Sequence, residues 1–278
     1  MAKPHKTRMA IAYDFDGTLS PGHMQNYEFI PALGIKPDEF WKEVKQNAKK
    51  HDMDEILSYL ELMLDKAKQN AIEIRKNNFR QYGKKVKLFP GVEPWFNMIN
   101  QFADKNGIKI EHYIISSGLR EMIEGNSIAK HFEKIFASGY KYDQHQVAKW
   151  PAVAVNYTTK TQFLFRINKG IRNSYDNSTI NQYTPEEKRP MPFSNMIYIG
   201  DGETDIPCMK MMKYQNGHAI AVYTKGKHGA KTNAAKLIEQ NRVDFAFPAD
   251  YRENAILTNA VKEIIQKIAA ENRLKHIR

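Results

Sequence analysis

Short apolar runs separated by segments of helical period leave a chain few ways to bury its strands. Here MAIAY opens the chain, and EHYIIS, MIYIG, AIAVY and VDFAFP follow later, each set apart by a helical pattern such as LREMIEGNSIAKHF, KTQFLFRINKG or HGAKTNAAKLIEQN. Runs that are apolar along their whole length need cover on both faces, and connections this long suit parallel pairing through helical crossovers. The expectation is an α/β fold built on a doubly wound, Rossmann-like parallel sheet. Only IFASGYKYD and WPAVAVNYT lie near enough to pair directly as extended segments. The polar stretch 173–194, rich in Asn, Ser, Thr and Pro, reads as loop.

One block interrupts this alternation early. Between MAIAY and Leu88, the segments EFWKEVKQNA and MDEILSYLELMLDKAKQNAIEIRKNNFRQYG carry Ile56, Leu57, Leu60, Leu64, Ala67 and Ala71 near a 3.6-residue period. Asp52 and Asp54 are start candidates and Gly83 a stop. The division expected is a core of residues 1–19 and 89–278 with an inserted helical cap of residues 20–88.

Composition removes some partners. No apolar run approaches the roughly 20 residues of a membrane span, and MAKPHKTRMA leads into the first strand without a signal-like apolar core, so a cytoplasmic protein is expected. The formal charge is +11, from 42 Lys and Arg against 31 Asp and Glu. The basic residues are dispersed (Lys3, Lys6 and Arg8, then 42–50, 75–87 and the C-terminal helix) and acids stand among most of them. That pattern suits a solvated basic surface better than a nucleic-acid site. The single cysteine, Cys208, can form no internal disulfide and reads as buried packing.

Ligands of such sheets sit beyond the carboxyl ends of the strands. Three loops placed there are unusual: DFDGT after the first strand, SSG after EHYII, and GDGETD after MIYI. Asp-Phe-Asp-Gly by itself is also an ordinary turn. Gathered at one place, however, Asp14, Asp16, Asp201 and Asp205 would repel unless a cation neutralised them or some held protons. Oxygen ligands without His or Cys suit a hard cation, most plausibly Mg²⁺, which keeps positions for water and substrate phosphate.

These residues resemble the haloacid dehalogenase superfamily of phosphohydrolases. Its first motif, a strand followed by Asp-x-Asp-Gly-Thr, stands as Asp14, Phe15, Asp16, Gly17 and Thr18; its second, a strand ending in Ser or Thr, places Ser116. Its fourth, Gly-Asp with another Asp four positions on, is Asp201 and Asp205. The third is a lysine at a helix start. Lys160 opens the helix in YTTKTQFLFRINKG and Lys169 ends it, about 14 Å away, so only one can reach the site. Lys160 is expected there.

The resemblance implies that Asp14 attacks phosphorus to give an aspartyl-phosphate, while Asp16 protonates the leaving oxygen and then activates water. It implies that Ser116 and Lys160 bind the phosphoryl oxygens, with backbone N–H groups around Phe15 and Ser117 as further donors. Asp14, the Asp16 carbonyl and Asp201 would hold Mg²⁺, with Asp205 binding through water or orienting the others. A cap between the first two motifs points to the phosphoserine phosphatase-like branch. Yet Ser58 and Tyr59 stand where that branch carries a cap arginine, and His23 where it carries a cap glutamate. The expected enzyme is therefore a Mg²⁺-dependent phosphatase acting on a small phosphate ester of unspecified identity. Alternatives are a phosphate-binding or regulatory module of the same fold, or a phosphatase of phosphorylated nucleic-acid ends.

Overall fold

The computed structural model describes residues 6–275 and 277; Lys3 of the basic arm lies outside them. Among the described residues the strands are β1 (Thr7–Tyr13), β2 (Ile108–Leu119), β3 (Phe132–Tyr142), β4 (Ala148–Val153), β5 (Met196–Gly200), β6 (His218–Tyr223) and β7 (Phe245–Pro248). They form one sheet in the order β4-β3-β2-β1-β5-β6-β7. Every neighbouring pair is parallel except β3 with β4. The expected doubly wound sheet is thus present, with IFASGYKYD and WPAVAVNYT as its antiparallel pair.

The order reverses beside β1, and this sets the site. Tyr13 is registered with Ile114 on β2 and with Ile199 on β5, so the loop after β1 emerges between the loops after those two strands. Met9 through Tyr13 have no solvent exposure. Alternate residues feed two cores: Ile11 and Tyr13 enter one cluster, Ala10 and Ala12 the other. A strand covered on both faces has no polar positions to alternate, which is why MAIAY reads as a continuous apolar run.

Helices α1 (Phe29–Ala32), α2 (Pro37–His51), α3 (Glu55–Gln69) and α4 (Lys76–Gly83) form the inserted helical cap. Asp54 starts α3 as expected, its carboxylate accepting from the N–H groups of Ile56 and Leu57. Asp52 instead ends α2, in a left-handed conformation with φ of 49°. The run expected to continue to Gly83 is broken. After α3, Ala71 takes φ of 52°. The next residues then pair with the β3–β4 connection: Ala148 N–H donates to the Ile74 carbonyl and Lys76 N–H to that of Gln146. Hydrogen bonds to that connection replace those of a continuing helix.

The remaining helices are α5 (Val92–Lys105), α6 (Arg120–Gly125), α7 (Thr159–Asn168), α8 (Asn177–Asn181), α9 (Ile206–Tyr214), α10 (Ala230–Glu239) and α11 (Ile256–Lys275). LREMIEGNSIAKHF is shorter than its pattern suggested. A Cβ on Gly125 would lie 2.0 Å from the Arg80 carbonyl oxygen. The next residue, Asn126, turns extended and its amide donates to the carbonyls of Gly83 and Val86, closing the end of α4. Within 173–194, Asp176 caps the short α8. The start of the stretch is held by the buried Arg166, which donates to the carbonyls of Asn173 and Asp176. Cys208 is buried, as expected. No helix among the described residues is long and apolar enough to cross a membrane.

Candidate active site

The first acidic loop is a tight turn fastened to the sheet. Asp14 N–H donates to the Ile199 carbonyl (2.9 Å), extending the ladder one residue past β1. The Phe15 carbonyl then accepts from Leu19 and Ser20, and Gly17 N–H returns to the Ser20 carbonyl (2.7 Å). Gly17 has φ of 77°, and a Cβ there would lie 2.1 Å from Asp201 Oδ2. Only glycine lets the two acidic loops close on each other.

Lys160, in the first turn of α7, has no solvent exposure and stands between two carboxylates. Its Nζ lies 3.0 Å from Asp14 Oδ2 and 2.7 Å from Asp205 Oδ1. Burial opposes its charge, but the carboxylates of Asp14 and Asp205 outweigh burial and hold the ammonium above its ordinary pKa. Asp205 is also buried, accepting from the Tyr198 hydroxyl (2.5 Å) and from the backbone N–H of Asp201 (3.0 Å). Lys169, the competing lysine, donates instead to the carbonyls of Ile180 and Gln182.

The four acids are not equivalent. Burial raises Asp14 to about 6, with Lys160 pulling the other way. Asp201 faces the cleft without an ion pair among the described residues; the protein crowded around it, then the charges of Asp205 and Asp14, push its carboxyl well above the usual range. Asp16 points away from this group. Its Oδ1 accepts from Met24 N–H (3.0 Å), its Oδ2 is 4.0 Å from His23 Nδ1, and burial followed by the Asp14 charge pushes it well up.

One carboxylate oxygen each from Asp14, Asp201 and Asp205 fall within 4.8 Å of one another. Lys160 supplies a single positive charge to this group and is already held by two of its members. The donor set is all oxygen, and Asp201 is left uncompensated, so the residues fit a hard divalent cation such as Mg²⁺. The Asp16 side chain lies outside this cluster.

The phosphate-binding candidates fall beside these acids. The β2–β3 ladder is irregular between Ser116 and Leu119, which turns SSG toward the cleft. Ser116 is fully buried and its Oγ accepts from Gly118 N–H (3.1 Å); the Ser117 Oγ has no partner. Phe15 N–H is engaged by Asp14 Oδ1 (2.7 Å) and so orients that carboxylate. Asp14, Asp16, Ser116, Ser117 and Asp201 border a cavity of about 390 Å³.

A model of the family described as haloacid dehalogenase-like hydrolase matches residues 11–210, a span that holds all the acidic loops and Lys160. The chain belongs to this family. An uncharacterized protein of Borreliella burgdorferi is 32% identical over 286 aligned positions, covering 92% of this chain and 96% of that one. A probable phosphoserine phosphatase from Vibrio cholerae superposes with a TM-score of 0.57 at 15% identity, over 95% of this chain and 67% of that one. A substrate-bound phosphoserine phosphatase complex gives 0.56 at 15%, over 89% and 97%. These likenesses show the fold, and the family match makes the chain a hydrolase.

Sequence reasoning missed much of the cavity's outer wall. Trp41 and Tyr59 pack together (ring centroids 5.8 Å apart), and both line the cavity. The Tyr59 hydroxyl donates to the Ser117 carbonyl (2.6 Å), tying α3 to the site. Gln25, Lys45 and Lys227 line it too. Lys45 follows Trp41 by one helical turn, and Lys227 follows β6 at the same end of the sheet. Those two placements were the available signals.

Proposed function

We propose that this family member is a Mg²⁺-dependent phosphomonoesterase that works through an aspartyl-phosphate on Asp14, with residues 1–19 and 89–278 as its core and 20–88 as its cap. What carries the reading is the separation of two acids one residue apart: Asp14 is held at 3.0 Å from Lys160, while Asp16 is turned outward onto Met24 N–H. Burial lifts Asp14 to about 6 against the pull of Lys160, and burial followed by the Asp14 charge raises Asp16 well above the usual carboxylate range. That is the pairing a nucleophile and a general acid need.

In this reading an Asp14 oxygen attacks phosphorus as the ester P–O bond breaks, and Asp16 gives its proton to the departing oxygen. Asp16, now a base, takes a proton from water, whose oxygen attacks the same phosphorus and releases phosphate and Asp14. Lys160 and Ser116 offer positive charge and a hydroxyl to the equatorial oxygens, and Ser117 adds an N–H. A Mg²⁺ ion held by Asp14, Asp201 and the Asp16 carbonyl would neutralise charge on the phosphoryl group, with Asp205 keeping the loop in place. The partner is a small phosphate ester, as the size of the cavity supports.

The test is hydrolysis of p-nitrophenyl phosphate with MgCl₂, and its loss on chelation. Asp14→Asn should lower turnover at least about a thousandfold. Activity surviving in that variant refutes the aspartyl-phosphate. Turnover confined to 5′-phosphorylated oligonucleotides refutes the substrate class.

A further inference from the structure

Beyond the acids, the cavity lining carries both charges. It includes His23, Lys45 from α2 and Lys227 from the loop after β6. Both lysines lie near enough to His23 to add to the effect of burial in lowering its pKa. Glu55 and Glu203 also line the cavity and stand near Tyr157, where, after burial, they raise its phenol. Lys45 and Lys227 form no ion pair among the described residues, although on the same helix Glu43 is taken by Lys66. They arrive from different parts of the chain, one on α2 and one after β6, and both line the cavity.

Deeper in, Gln25 is 1% exposed and lines the same cavity, yet its amide Oε1 has no hydrogen-bond partner. A buried amide left unpaired is costly, and a ligand in the cavity can pair it. Gln25 directly follows Met24, whose N–H holds Asp16. Gln25 and Asp16 border the same cavity.

We propose that the cleft takes a phosphomonoester whose leaving group carries a second anionic group, held between Lys45 and Lys227, with the Gln25 amide paired to a polar atom closer to the ester oxygen. This rests on the phosphatase reading above. Carboxylate and phosphate share the chemistry the two ammonium groups recognise. Glu55 and Glu203, which line the same cavity, disfavour the anion near Tyr157.

Matched pairs of substrates test this: glycerol 3-phosphate against 3-phosphoglycerate, and fructose 6-phosphate against fructose 1,6-bisphosphate. The wild-type protein with MgCl₂ should favour the second member of at least one pair by tenfold or more in kcat/KM. Which pair responds tells carboxylate from phosphate. The double substitution Lys45→Gln with Lys227→Gln should bring that ratio to within twofold of unity. Both lysines are exposed, and a ratio measured on one sample does not depend on its folded fraction. No preference in either pair, while p-nitrophenyl phosphate is hydrolysed, overturns the inference; so does a preference that survives the double substitution. Failure to hydrolyse p-nitrophenyl phosphate brings down the phosphatase reading itself, and the inference with it.

Discussion

Acid should destabilise this protein through His112. The imidazole, carried on β2, is buried, stacked beside Tyr13 and edge-on to Phe96. Its Nε2 lies 3.0 Å from Asn100 Oδ1 and its Nδ1 3.0 Å from the Tyr13 hydroxyl, which in turn accepts from Trp95 Nε1 at 2.8 Å. Donors and acceptors match only if Nε2 carries the proton and Nδ1 accepts from Tyr13. A second proton would set two donors against the Tyr13 oxygen. Burial, with a smaller contribution from His131, pushes the pKa from 6.5 down to about 3. Because the folded value is the lower one, the contribution is complete above pH 6.5 and is lost as pH falls toward 3. Between pH 7.5 and 5 the loss is about 2 kcal/mol, from 1.36 kcal/mol per pH unit below the unfolded pKa. The assay is urea unfolding of wild type and His112→Gln at both pH values. The variant is less stable at pH 7.5, and its pH-dependent loss should be smaller than wild type's by about 2 kcal/mol. Parallel losses in the two proteins refute the buried neutral imidazole.

Two further substitutions probe the site. Gly17→Ala puts a Cβ into Asp201 at a left-handed position, so half-maximal turnover of p-nitrophenyl phosphate should need at least about tenfold more MgCl₂; an unchanged titration curve counts against the contact. Lys160→Met leaves Asp14 and Asp205 buried without their ammonium and should cost about 3 to 5 kcal/mol in urea unfolding without added metal. A loss under about 1 kcal/mol would mean the pair is not held as described.

The sheet and its acidic loops were legible because their signals are local. Apolar runs mark buried strands, and DFDGT and GDGETD mark the ends where a parallel sheet gathers its loops. The break between α3 and α4 was not legible, since it depends on backbone pairing of residues near 74 with residues near 148. The early end of α6 depends in the same way on Gly125 meeting Arg80. Lys160 could be told from Lys169 by helix position, whereas the charged lining of the cavity needed the fold to bring α2 and the loop after β6 together. Side chains that face one another across a cleft leave no periodic trace in a sequence.

The helical cap and the sheet share one apolar interior. Phe29, Phe40, Leu60 and Phe79 belong to the same buried cluster as Ile11, Ile114 and Ile197, and the Tyr140 hydroxyl on β3 donates to the Leu60 carbonyl on α3 (2.7 Å). The block therefore cannot be exchanged for that of a relative as a detachable module. A graft at its chain boundaries would sever a common core and should melt the whole protein in one transition. New specificity is more readily made by repainting the exposed residues of the rim.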